Sequence, residues 1–170
     1  MRVNWKTYNP GPFFDELISS PGYARKPARK LASYLRSLTH EELLEKKTAA
    51  ELAIKTMGIS FTVYSDGSNI DREWPYAIIP RVLAESEWNR TSEGLKQRIR
   101  AINLFINDLY NDQKILKDRV VPKDLIFGST NFLKECMGIK PKYGVWAHVC
   151  GTDLIKDADG EFHVLEDNLR

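Results

Sequence analysis

Two cysteines, three histidines and no long apolar run are what this chain of 170 residues has least of. Cys136 and Cys150 match neither a metal knuckle nor a disulfide framework, so reduced, buried thiols are expected. No stretch approaches the ~20 apolar residues needed to span a bilayer. The first residues lack the apolar segment of a secretion signal, and a soluble, cytoplasmic protein is expected. Charge of one sign is also lacking: 25 Lys and Arg stand against 23 Asp and Glu, intermixed along the chain, which argues against a nucleic-acid surface and against a membrane partner. Ten glycines nowhere form a phosphate-cradling loop. There are no repeats and no low-complexity tract.

What is present fits one α+β domain. Residues 1–23, rich in Pro, Gly and aromatics, read as an extended arm with a short helical chance at 13–19. Helices are expected over 25–38 and 41–57. The second opens on a capping box, Thr39 with Glu42, and stops at Gly58. A strand over 59–64 runs into a turn at 65–67. The longest helix is expected over 86–111, where Leu95, Ile99, Ile102, Ile106 and Leu109 form one apolar stripe. A short helix is expected near 131–137. The architecture is then a helical N-terminal lobe plus a mixed or antiparallel sheet ending in a β-hairpin, with an arm and helices over 1–57 and an α+β portion over 58–170.

The hairpin joins strand-like runs at 144–156 and 161–168 through Asp157-Ala158-Asp159-Gly160, whose Asp-Gly pair is a strong turn signal. With a two-residue turn, Asp153 sits opposite Glu166, and Asn168 shares the face of Glu166. Like charges set opposite each other call for a cation between them, and magnesium suits oxygen donors of this kind. A three-residue loop with a glycine bulge would instead turn Asp153 away. The same register places Ile155, Phe162 and Val164 on the metal-facing side and His148 and His163 on the other. The plain alternative is a turn flanked by exposed strand carboxylates. A calcium loop is excluded, because the alternate acidic ligands and the closing glutamate are missing.

The run Asp153-Leu154-Ile155, Asp159-Gly160 and Val164-Leu165-Glu166-Asp167-Asn168 resembles the hairpin of ATP-grasp enzymes. Further stretches are similar to one branch, the circularly permuted ATP-grasp type 2 proteins related to glutathionylspermidine synthase: Ile59-Ser60-Phe61-Thr62-Val63-Tyr64, Trp74-Pro75-Tyr76-Ala77-Ile78-Ile79-Pro80-Arg81, Gly94-Leu95-Lys96-Gln97-Arg98, Asn103-Leu104-Phe105-Ile106-Asn107-Asp108-Leu109-Tyr110 and Glu166-Asp167-Asn168-Leu169-Arg170. The resemblance implies part of an ATP-grasp fold in which Asp153, Glu166 and Asn168 hold the Mg2+ of ATP. It places Arg81 and Arg98 where they could clamp substrate carboxylates or phosphates, ordinary ion-pair roles being the alternative, and Arg170 where it could neutralise a transferring phosphoryl group as a catalytic residue.

The implied activity is ATP-dependent ligation of a carboxylate to an amine, ADP-forming, through an acyl phosphate. Relative to that branch the sequence stops early, after the Glu-Asn strand. The expectation is therefore a portion truncated at its C-terminal end, inactive alone, needing the remainder of the ATP-grasp fold as partner and prone to self-association through apolar surface beside the hairpin. The competing expectation is a non-catalytic binding or scaffold fragment.

Overall fold

A computed structural model describes residues 2–65 and 68–169. The protein is α+β, and the described residues form helices and three separate two-stranded antiparallel sheets. It divides into two compact units, Met1–Ala84 and Glu85–Arg170.

In the first unit the N-terminal arm is fastened by hydrogen bonds rather than by a helix. Asp15 Oδ1 accepts from the Leu17 and Ile18 amides, each at 2.7 Å, and Oδ2 accepts from the Tyr8 hydroxyl at 2.6 Å. An acidic side chain that captures the next amides competes with helical pairing. The helix expected at 13–19 is accordingly absent, and the chain forms β1 (Ile18–Ser20) against β2 (Tyr23–Ala24). Ile18, the most buried residue of the arm, joins Ala28, Ala32, Leu35 and Leu38 in a small core. The last four come from α1 (Arg29–Ser37) and its flanks. Trp5 is held to this helix by its indole N–H, which donates to the Ala32 carbonyl at 2.9 Å.

Helix α2 (His40–Thr56) has the capping box that its sequence announces: Thr39 Oγ1 accepts from the Glu42 amide and the Glu42 carboxylate accepts from the Thr39 amide. Gly58, with φ of 69°, takes the left-handed position just past the helix. No residue of α2 is buried, so its ends matter more than its packing. Thr39→Ala is expected to cost about 1 kcal/mol, read as faster amide exchange in the first turn of α2. Strand β3 (Ser60–Ser65) then pairs with β4 (Ser68–Glu73) from Ser60↔Glu73 to Ser65↔Ser68. The expected turn residues Asp66 and Gly67 lie outside the described residues.

The second unit is built on α3 (Glu85–Tyr110). Its apolar stripe is real: Leu109 is buried and Leu95, Ile99, Ile102 and Ile106 are half-buried. In the last turn of α3 the Asp108 carboxylate accepts the amides of Lys114 and Ile115 at 3.0 and 2.9 Å. That contact starts α4 (Lys114–Lys117), which buries Leu116, and a further short helix, α5 (Lys123–Phe127), follows.

Asparagines one turn apart on α3 then receive the segment that returns to the sheet. Asn103 Oδ1 accepts the amides of Trp146 and Ala147 at 2.7 and 3.0 Å, and Asn107 Oδ1 accepts the Trp146 indole N–H at 3.2 Å. Tyr110 is stacked between Phe132 and Trp146, at 4.9 Å to each. The helix expected near 131–137 shrinks to one 3-10 turn, Lys134–Cys136. This packing delivers the chain to β5 (Cys150–Lys156), which pairs antiparallel with β6 (Phe162–Leu169).

Candidate functional site

The β5–β6 hairpin turns through residues 157–161. The Asp157 amide donates to the Glu161 carbonyl at 3.0 Å and Gly160 adopts φ of 87°. This is a three-residue loop closed by a left-handed glycine, not a two-residue turn. Asp157 organises it: Oδ1 accepts the amides of Asp159 and Glu161 at 3.0 and 2.8 Å, and Oδ2 lies 2.8 Å from His163 Nε2. The His163 contact, then the Glu161 amide, hold the Asp157 carboxyl below the usual carboxylate range.

A three-residue loop shifts the register by one. Near the turn Lys156 faces Phe162, Ile155 faces His163 and Leu154 faces Val164. The next pair is Asp153 with Glu166, so Leu165 is an extra residue on β6. A β-bulge of this kind sets two residues of one strand against one of its partner. The loop moves the register one way and the bulge moves it back. Asp153 therefore lies opposite Glu166 in spite of the loop length, and Gly151 opposite Asn168.

The correction also sorts the two faces of the ribbon. Lys156, Leu154, Thr152, Phe162, Val164 and Asp167 turn inward and are half-buried, whereas Asp153, Ile155, His163, Leu165, Glu166 and Asn168 are exposed. Phe162 and Val164 thus do not share the face of Asp153; they line a cleft of about 370 Å3 with Leu154, Leu95, Gly94, Arg90 and Arg98. His163 is on the carboxylate face, not behind it. His148 precedes β5 instead of lying in a strand.

On the exposed face Asn168 Nδ2 donates to Glu166 Oε1 at 3.1 Å, which leaves the amide carbonyl oxygen as an acceptor beside two carboxylates. Among the described residues no basic side chain pairs with Asp153 or Glu166. Nor do those residues contain a group of three or more His, Cys, Asp or Glu side chains able to hold a metal by themselves. The donor set here is two carboxylates and one amide, all oxygen and all facing solvent.

Among the described residues the hairpin is tied to α3 by three ion pairs that sequence reading missed. Lys156, with 4% of its side chain exposed, pairs with Glu87 and lies 4.5 Å from the centre of the Phe162 ring. Arg90 pairs with Glu161. Arg98 Nε donates to Asp167 Oδ2 at 2.7 Å, and the Thr152 hydroxyl donates to Asp167 Oδ1 at 2.8 Å. Strict alternation was the available signal, because a carboxylate flanked by two outward residues must turn inward and find a base. Arg98, first of all, and Thr152 hold the Asp167 carboxyl below its usual range. A depressed carboxyl stabilises the fold above its unfolded value and loses that contribution as pH falls through the folded one. Stability is therefore expected to decline below about pH 4, and Asp167→Asn to flatten that part of a melting-temperature profile.

Arg81 belongs to the first unit, where it grips Glu16 with two bonds, Nε to Oε2 at 2.7 Å and Nη2 to Oε1 at 2.5 Å. Both arginines expected at substrate thus have carboxylate partners within the chain. Arg170 lies outside the described residues.

Residues 80–170, rather more than half of the chain, match the family model described as circularly permuted ATP-grasp type 2. The chain belongs to that family. It is 46% identical over 97% of its length to an uncharacterized protein of Synechocystis and 39% identical over 92% to one of Mycobacterium leprae. It is 29% identical, again over 92%, to a protein of Frankia casuarinae named a putative glutamate–cysteine ligase. The chain spans 34%, 27% and 18% of these three relatives respectively. No helix among the described residues is long and apolar enough to cross a membrane.

Proposed function

We propose that the β5–β6 hairpin supplies the magnesium-holding face of an ATP-dependent carboxylate–amine ligase of the glutathionylspermidine synthase-like kind. The observation that carries this reading is the convergence of Asp153, Glu166 and Asn168 on one open face, with like charges opposed and no basic partner among the described residues. Opposed carboxylates destabilise a ribbon unless a cation joins them. Magnesium fits the set, being an oxygen-seeking ion that keeps waters and takes the rest of its shell from substrate phosphates. When bound, it would neutralise charge on the triphosphate.

In the proposed reaction a substrate carboxylate oxygen attacks the γ-phosphorus of ATP and ADP leaves; an amine nitrogen then attacks the acyl carbon and phosphate leaves. Asp153 and Glu166 contribute charge, Asn168 a neutral oxygen, and the hydrogen bond from Asn168 to Glu166 orients both. Arg170 is assigned the neutralisation of the transferring phosphoryl group. The ligase name of the Frankia relative supports the reaction class, and the small share of each relative that the chain spans supports a cleft completed by further polypeptide.

A second reading, a non-catalytic binding or scaffold module, draws on the apolar side chains around the same face: Val149 is 68% exposed, Leu165 66% and Ile155 50%. Surface of this kind is suited to a partner or to self-association.

The test uses Mn2+ in place of Mg2+ and reads paramagnetic broadening of backbone amides. Broadening should centre on Asp153, Glu166 and Asn168, strengthen with ATP, and disappear in Glu166→Gln. Broadening centred on the turn carboxylates Asp157 and Asp159, unchanged by that substitution, would overturn the ligase reading.

A further inference from the structure

Resting on the metal-binding reading above, we infer that Arg98 acts on the Glu166–Asn168 face through Asp167, as a positioning residue and not as a substrate ligand. The geometry carries it. Asp167 sits between the two outward donors and points the opposite way, where Arg98 from α3 and Thr152 from the partner strand together occupy both of its oxygens. Thr152 is also its direct cross-strand neighbour. The bulge at Leu165 breaks the ladder immediately before Glu166, so the outer end of β6 does not inherit its orientation from the regular pairs near the turn. Beyond the bulge the ladder resumes with Asp153↔Glu166, Thr152↔Asp167 and Gly151↔Asn168, and the grip on Asp167, whose side chain is 10% exposed, is the side-chain tie that holds the rotation of this short outer stretch about the strand axis. Locking one alternate side chain inward locks its two neighbours outward.

Outer contacts that orient metal ligands commonly change affinity by about 10–100-fold when removed. Arg98→Ala should therefore weaken binding of Mn2+ alone by about 10-fold, measured by water-proton relaxation in the absence of nucleotide, and raise amide exchange at 167–169. Arg98→Lys keeps the charge but loses the planar fork, so it should restore part of the affinity. The double substitution Arg98→Ala with Asp167→Asn should be no weaker than Arg98→Ala, since two residues acting as one unit are not additive. If Arg98→Ala does not fold, Arg98→Lys and Asp167→Asn alone carry the comparison, each expected to weaken Mn2+ binding.

Wild-type affinity in the Arg98 variants, even with faster exchange, would show a purely structural pair and overturn the inference. So would a loss seen only when ATP is present, which would mark Arg98 as a direct phosphate contact. Glu166→Gln separates the two levels of argument. If the unsubstituted chain binds no Mn2+, or Glu166→Gln leaves its binding unchanged, the metal reading falls and takes this inference with it. If Glu166→Gln abolishes binding while the Arg98 variants do not weaken it, only the inference falls.

Discussion

Under the proposed ligase function, substituting Glu166 by glutamine is expected to lower ATP consumption by about 10²-fold or more while leaving the melting temperature unchanged or slightly higher. The size follows from comparison with the groups behind metal ligands, whose loss alone commonly costs about 10–100-fold; a ligand that contributes charge should cost no less. The sign on stability follows from the pairing. Glu166 is exposed and directly opposite Asp153, so removing one of two facing negative charges relieves repulsion. Activity and stability should therefore move in opposite directions, as expected where a site has been built at some expense to the fold. Steady-state ATP consumption and a thermal melt on the same preparation check both halves. A fall in melting temperature with unchanged turnover would mean that Glu166 is an ordinary strand residue.

Breaking the Lys156–Glu87 pair should have the largest effect on folding. Removing one partner of a fully buried ion pair usually costs about 3–5 kcal/mol; here Lys156 is 4% exposed, but Glu87 is 22% exposed and Lys156 keeps further contacts. Glu87→Ala is expected below that range, about 2 kcal/mol, because the carboxylate is partly solvated and the Phe162 ring still faces the ammonium. Replacing both partners with apolar residues of similar size, Glu87→Leu with Lys156→Met, should recover most of it, since desolvation of the two ions is then avoided. Urea midpoints at constant slope give both numbers. So large a loss matters here: among the described residues only Leu109, Leu116 and Ala147 form the buried apolar set of the second unit, and ion pairs take a correspondingly larger part in holding α3 against the hairpin.

Local signals decide how much of this was legible in advance. The capping box at Thr39, the glycine stop at Gly58 and the stripe on α3 are each written within one helix, and each is found. The pairing of Asp153 with Glu166 was legible for a reason that turned out to be incomplete. A two-residue turn would have produced it, but the structure reaches the same pairing through a longer loop and a compensating bulge. Neither Leu165 nor Gly160 announces which combination will form, because the choice depends on which residues of β6 turn toward α3: Phe162 and Val164 line one cleft with Leu95, far away in sequence. The arm shows the opposite failure. Its helical chance at 13–19 was overridden by one carboxylate, Asp15, that captures two amides. Arg98 and Arg81 could be singled out as important, but whether a guanidinium meets a substrate or a carboxylate of its own chain is decided in three dimensions.

Each described sheet has two strands, so every described strand is an edge. One row of backbone N–H and C=O groups on β5 and another on β6 look away from the ribbon and are open to pairing with a further strand. A lone two-stranded ribbon is marginal in water; here α3 braces one face while both margins stay open. The hairpin is thus a nucleus on which a wider sheet can be laid down from either side. The same openness makes it the place where misassembly would begin in concentrated solution, with the kink at Leu165 as the one feature of β6 that spoils a flat template.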